Sequence, residues 1–155
     1  MDLILLIASA IIFLGYITSI WKIYGVQKSI SDSYYRLPKK WNFLFTLALW
    51  SFAIPVMVVG NNVMMFLAGA GICFVGAASN FKRLKMTKNV HMAGAFGGII
   101  VGIFSVIFDF NALPLALVAI AFSIFLKIFA KNYIWWIEVT AFVTIWLTLY
   151  ISTMS

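Results

Sequence analysis

Long apolar runs alternate with short polar connections along the whole chain. Six runs stand out: Leu3–Trp21, Trp41–Gly60, Val63–Ala78, about Val90–Phe108, Leu113–Ala130 and Tyr133–Ile151. A helix needs roughly 17–25 apolar residues to cross a bilayer at ~1.5 Å of rise per residue, and every run except the slightly short third meets this. Strands of a membrane barrel would appear as segments of about ten residues with alternating polarity, and that pattern is absent. The pattern predicts an all-α integral membrane bundle of six transmembrane helices, with residues 1–155 forming a single domain. The connections Asn61-Asn62 and Asp109–Ala112 are short enough to make tight turns, so the six runs read as three helical hairpins. The first run is too long for a signal peptide and carries Asp2 where a positive charge belongs, so it is expected to stay as a helix.

Composition identifies the solvent. Of 155 residues, 65% are hydrophobic and 10% charged, against about 25% charged in soluble domains. The mean hydropathy is +1.08. Lipid is the medium in which such a chain can bury its surface. The net charge of +7 does not point to nucleic acid, because the basic residues sit at the ends of apolar runs. Lys22, Lys28, Arg36, Lys39 and Lys40 flank the first connection, Lys82, Arg83, Lys85 and Lys88 the third, and Lys127 and Lys131 the fifth. The positive-inside rule then places these connections in the cytoplasm of a bacterial-type inner membrane, with both termini outside. Anionic lipid headgroups are the expected partners there. Cys73 has no second cysteine to pair with and lies in an apolar run, where a free cysteine packs as a small hydrophobe.

Small residues predict where helices approach closely. Gly94, Gly98 and Gly102 recur every fourth residue and share one helix face, and the third run carries Gly69, Gly71 and Gly76. In lipid such faces drive close association, either between these two runs or across a homodimer seam. Trp41, Tyr133, Trp135, Trp136, Tyr34 and Tyr35 lie near the basic ends of the runs and read as interface anchors. The connection SISDSYYRLPKK opens with Ser29 and Asp32 at capping-box spacing, and Ile30, Tyr34 and Leu37 share a face of a short helix. It reads either as an elbow lying in the interface or as a ligand-facing start to the second span.

The polar residues narrow the chemistry. One histidine, one cysteine and four acidic residues cannot assemble the usual three- or four-ligand zinc site. There is no nucleophile elbow, no phosphate-binding glycine loop and no HExxH, so no catalytic set, metal or cofactor is assigned. Depth is more informative. Glu138 lies seven residues past Lys131, about 10 Å along a helix. A carboxylate at that depth costs on the order of 1–3 kcal/mol and should face the bundle interior with a partner. His91 and Ser79 each lie about 4–5 Å by helical rise from the nearest lysine, with Asn80, Ser31 and Asp32 at the same level. These residues form either a cytoplasm-facing ligand pocket of His91, Glu138, Ser79, Asn80, Ser31 and Asp32, or a hydrogen-bond network that clamps the hairpins. At the other end Asn61, Asn62, Asp109 and Asn111 read as turn residues.

Taken in order, SISDSYY, KWNFLFTLALW, FLAGAGICFVGAASNFK, VHMAGA and WWIEVTAF resemble a group of small polytopic membrane proteins of bacteria and their phages. The resemblance covers most of the chain and carries no assigned activity. It implies that Ser29, Ser31, Tyr34, His91 and Glu138 belong to the group's motifs. GYITSIWKIYGVQKSIS is also similar to segments of PQ-loop and SWEET-type sugar carriers, with Thr18-Ser19 in place of their Pro-Gln pair. Alkaline-ceramidase-type hydrolases carry several zinc-binding histidines, for which the lone His91 is no counterpart. Three functions follow as expectations. The first is a small carrier or ligand-binding membrane protein using the pocket. The second is a non-catalytic component that packs against a partner through its glycine face. The third is a metal-independent lipid-modifying enzyme with Ser79 or Ser31 as nucleophile beside His91.

Overall fold

The computed structural model describes residues 1–83 and 85–155. Among these residues there are six α-helices, two short 3-10 turns and no strand. The helices are α1 (Asp2–Tyr24), α2 (Phe43–Val59), α3 (Val63–Ala77), α4 (Lys85–Phe108), α5 (Leu113–Phe129) and α6 (Tyr133–Met154). Four are long and apolar enough to cross a membrane: α1, α2 with the turn that leads into it (Lys39–Val59), α4 and α6. α3 and α5, at 15 and 17 residues, are shorter apolar helices.

Local chemistry explains where the helices start and stop. α1 ends at Gly25, whose φ of 74° suits a residue without a Cβ. α3 starts at Asn62, whose side chain accepts the Met65 N–H at 2.8 Å and so satisfies one of the free donors of the first turn. Asn61 and Asn111, the turn residues of the first and second tight connections, both adopt the left-handed region (φ 46° and 50°), which asparagine tolerates better than most side chains. Pro114 lies in the first turn of α5, where its missing N–H costs nothing. Pro55 lies inside α2, which nonetheless runs unbroken from Phe43 to Val59.

α3 and α4 make the most extensive helix–helix contact, followed by α2 and α3. The glycines allow it. A Cβ on Gly71 would sit 2.8 Å from the Gly94 carbonyl oxygen, and one on Gly94 would sit 2.6 Å from the Gly71 carbonyl oxygen. Real side chains do not approach that closely, so the backbones meet only because both positions are bare. Gly98 faces the Ala68 carbonyl, and Gly102 faces Ile145 of α6. The stripe is therefore turned into the molecule.

The inward face of α6 carries Trp135, Glu138, Phe142, Ile145 and Leu149 at spacings of three and four. Phe142 meets Phe13 of α1 and Phe52 of α2 at centroid distances of 5.0 and 4.8 Å, which ties three helices together. Trp135 belongs to this buried stripe with 0% exposure, which corrects its reading as an interface anchor. Trp41, by contrast, is 46% exposed. α5 packs mainly on α6, and its outer side, including Leu117, Val118, Phe122 and Ile128, is exposed as a lipid-facing helix would be.

Candidate functional site

The segment between α1 and α2 organises one end of the bundle. After Gly25 the chain turns inward and forms a 3-10 turn over Ser31–Tyr35. The Ser29 hydroxyl accepts the Asp32 N–H at 3.2 Å, which is one half of the capping box. Ile30, Ser31 and Ser33 are buried, and Tyr34 and Leu37 pack against the core. The segment is thus inserted into the end of the bundle instead of lying along the interface. The reason is the number of polar anchors that reach it.

Three helices each contribute one anchor. Glu138 of α6 accepts the Ile30 N–H on Oε2 at 2.5 Å. His91 of α4 places Nε2 2.9 Å from the Ser31 hydroxyl. Tyr16 of α1 places its hydroxyl 2.6 Å from Ser33 Oγ, and Ser33 in turn donates to the Ile30 carbonyl at 2.5 Å. Because Ser33 has given its proton to Ile30, the Tyr16 hydroxyl must be the donor to Ser33. Buried polar groups are affordable only when satisfied in this way.

His91 also fixes the end of α3. Its Nδ1 lies 3.2 Å from the Ala78 carbonyl oxygen. A carbonyl only accepts, so Nδ1 carries a hydrogen, and in the neutral ring Nε2 is then the acceptor for Ser31. Phe81 covers the ring at a centroid distance of 4.1 Å, nearly parallel. With 2% exposure, His91 joins α4, the α3 end and the α1–α2 segment.

Glu138 lies beside a small cavity. About 20 Å³ is enclosed by Ile30, Ser31 and Glu138 together with Leu49, Ile72, Val75, Ala95, Ile99 and Phe142. That is room for about one water. Oε2 is taken by Ile30, whereas Oε1 has no hydrogen-bond partner among the described residues. One carboxylate oxygen and one serine thus supply the polarity of an otherwise apolar chamber.

The six sequence-derived residues separate into two groups. His91, Ser31 and Glu138 meet at the buried 30–31 backbone, although His91 and Glu138 reach it from different helices and form no ion pair. Asp32 points away and pairs with the Lys82 ammonium. Ser79 and Asn80 are partly exposed and make no side-chain hydrogen bond among the described residues. α3 ends at Ala77 and Ala78 leaves helical geometry (φ −91°, ψ 36°), so the helical rise that placed Ser79 and Asn80 at the level of His91 does not extend to them. The Ala78 carbonyl, Phe81 and Lys82 occupy that role. Sequence reading also missed Tyr16 and Gln27. Tyr16 follows Phe13 by three residues and precedes Ile20 by four, which places it beside the inward stripe of α1. Gln27 is 6% exposed, and nothing in its sequence neighbourhood signals burial.

A second polar cluster closes the opposite end. Asn62 Nδ2 donates to the Gly60 carbonyl at 2.9 Å, and the Ser105 hydroxyl donates to Asp109 at 2.7 Å. Ser105 is fully buried and lies 3.3 Å from Asn62 Oδ1. The α2–α3 turn and the end of α4 thus meet at Ser105.

Compared with known proteins, the chain matches no family model, no curated protein and no solved structure.

Proposed function

We propose that the protein is a six-span inner-membrane carrier or ligand-binding protein. In this reading α3 and α5 join the four longer helices as spans, the three basic connections face the cytoplasm and both termini lie outside. The ligand site is the chamber beside Glu138, and the α1–α2 segment is its cover. The observation that carries this reading is the Glu138 carboxylate. It lies well inside the apolar stripe of α6, keeps one oxygen free of partners among the described residues and borders a cavity. Ionisable residues placed in this way inside membrane bundles mark ligand and ion paths. At about 20 Å³ the chamber corresponds to a closed state. A ligand larger than a water enters when residues 30–31 withdraw, and the complement to a carboxylate beside a serine hydroxyl is a small cation or hydrogen-bond donor.

Thermal unfolding of the detergent-purified protein against a panel of monovalent cations, small amines and polar solutes tests the reading. A stabilising solute is expected whose effect is lost in Glu138→Gln and kept in Asp2→Asn. A panel without effect, or an effect that survives Glu138→Gln, contradicts it.

A second reading, the packing component, is favoured by an open apolar groove of about 570 Å³ between α3 and α4, lined by residues such as Leu67, Phe74, Ala93, Gly97 and Val101. Here the exposed small residues are Ala93 and Gly97, beside the glycine stripe, whose Gly94 and Gly98 line the same groove with Gly71. The enzymatic reading has the Ser31–His91 pair at 2.9 Å, a distance suited to nucleophile and base. With these residues 6% and 2% exposed, it requires the same opening as the carrier does.

A further inference from the structure

The outer side of the α1–α2 segment forms a cleft separate from the Glu138 chamber. It has a volume of about 240 Å³ and is lined by Gln27, Lys28, Asp32, Tyr35, Arg36 and Lys82. That is just below the ~300–1,000 Å³ typical of small-molecule sites. Three cations and one carboxylate line it. The carboxylate, Asp32, is already paired with Lys82. Glu138, the other carboxylate at this end, is turned inward onto Ile30. Lys28 and Arg36 therefore have no anionic partner among the described residues.

The cleft is also built. The buried Gln27 side chain donates its amide to the Tyr24 and Gly25 carbonyls, each at 2.9 Å. Its amide oxygen is thereby fixed and accepts the Arg36 Nε–H at 2.9 Å. This bond holds the guanidinium by one edge and leaves its terminal nitrogens unbonded among the described residues. Lys82 is held as well: its ammonium lies 4.7 Å from the Tyr35 ring centre, and its backbone N–H donates to the Tyr35 hydroxyl at 2.7 Å. A preoriented guanidinium flanked by two ammonium groups matches the oxygens of a phosphate, which arginine binds in bidentate fashion.

We propose that this cleft is a phosphate-binding site, taking either the phosphate of an anionic lipid headgroup or a free phosphate. It lies just beyond the last turn of α1, where the exposed Trp21 marks the edge of the apolar surface, so both sources can reach it. The site stands whether or not the Glu138 chamber binds a ligand. It also differs from general attraction of basic loops to lipid, because Gln27 aims one named guanidinium.

The purified protein in a neutral detergent is titrated with short-chain phosphatidylglycerol, short-chain phosphatidylcholine and inorganic phosphate, with binding followed by tryptophan fluorescence or thermophoresis. Phosphatidylglycerol or inorganic phosphate is expected to bind, with Arg36→Gln weakening it about tenfold. Lys131→Gln, which removes an equal charge outside the cleft, is expected to change it less than about twofold. Arg36 is exposed, and an unfolding temperature of Arg36→Gln measured beside the titration separates loss of the site from loss of the Gln27 contact. Inorganic phosphate that binds alone and competes with the lipid identifies a free phosphate site. Binding of phosphatidylglycerol that inorganic phosphate does not displace identifies a headgroup site. Equal losses in Arg36→Gln and Lys131→Gln, or no anion binding at all, overturn the proposal.

Discussion

Glu138 accepts the backbone N–H of Ile30 at 2.5 Å, across 108 residues of chain. This bond puts the only carboxylate of α6 against the α1–α2 connection, which is folded back into the bundle. Removing the acceptor leaves a buried N–H without a partner, at a cost of about 1–3 kcal/mol. Glu138→Ala is therefore expected to lower the unfolding temperature of the detergent-solubilised protein clearly. Glu138→Gln keeps a carbonyl acceptor and is expected to lose less than half as much. Equal losses would mean that charge, and not the hydrogen bond to Ile30, holds the segment.

The Ser31–His91 contact predicts energetic coupling. Ser31→Ala and His91→Ala both remove the 2.9 Å bond, so the double variant is expected to be less destabilised than the sum of the two. A coupling of about 0.5–1.5 kcal/mol follows for a buried side-chain hydrogen bond. His91→Ala alone is expected to cost more than Ser31→Ala, because it also frees the Ala78 carbonyl and removes the surface on which Phe81 stacks. Additive losses measured in chemical unfolding would contradict the contact.

The glycines of α4 divide by face. Gly94→Val places a side chain against the Gly71 carbonyl and is expected to destabilise by about 1–3 kcal/mol through overpacking. Gly97→Ala meets nothing within 4 Å and is expected to be neutral or slightly stabilising, since alanine favours the helix by up to ~1 kcal/mol. Thermal unfolding of both variants checks this. Comparable destabilisation by the two would mean that the side of α4 bearing Gly97 is packed as well.

The proposed topology predicts labelling from opposite sides. In a Cys73→Ser background, Asn61→Cys is expected to react with a membrane-impermeant maleimide on intact cells, and Lys85→Cys only after permeabilisation. The reverse pattern would invert the orientation, and labelling of both from one side would remove a span.

The helical architecture was legible because hydrophobic runs register it directly: all six runs became helices, with ends shifted by a few residues. The inward glycine stripe was legible for the same reason, since spacing by four puts residues on one face whatever they pack against. Glu138 could be assigned to the interior by the cost of its depth alone. The site was only partly legible, because helical rise places residues only while the helix lasts. Ser79 and Asn80 lie beyond the end of α3, where a turn exchanges their side chains for the Ala78 carbonyl. Backbone groups such as this one and the Ile30 N–H leave no mark in composition. The burial of Gln27 depends on the path taken after Gly25, which is a tertiary outcome.

The central claim is that residues 30–31 cover a chamber that opens. Its most direct measurement is the reactivity of Ala95→Cys, which lines the chamber, in a Cys73→Ser background toward a small water-soluble methanethiosulfonate in detergent micelles. The account predicts slow but complete modification, accelerated about tenfold by Glu138→Ala, because loss of the Ile30 bond shifts the local opening equilibrium by about that factor. Complete protection in both backgrounds, over a time in which Lys85→Cys reacts fully, would contradict it and leave the polar junction as a permanent clamp.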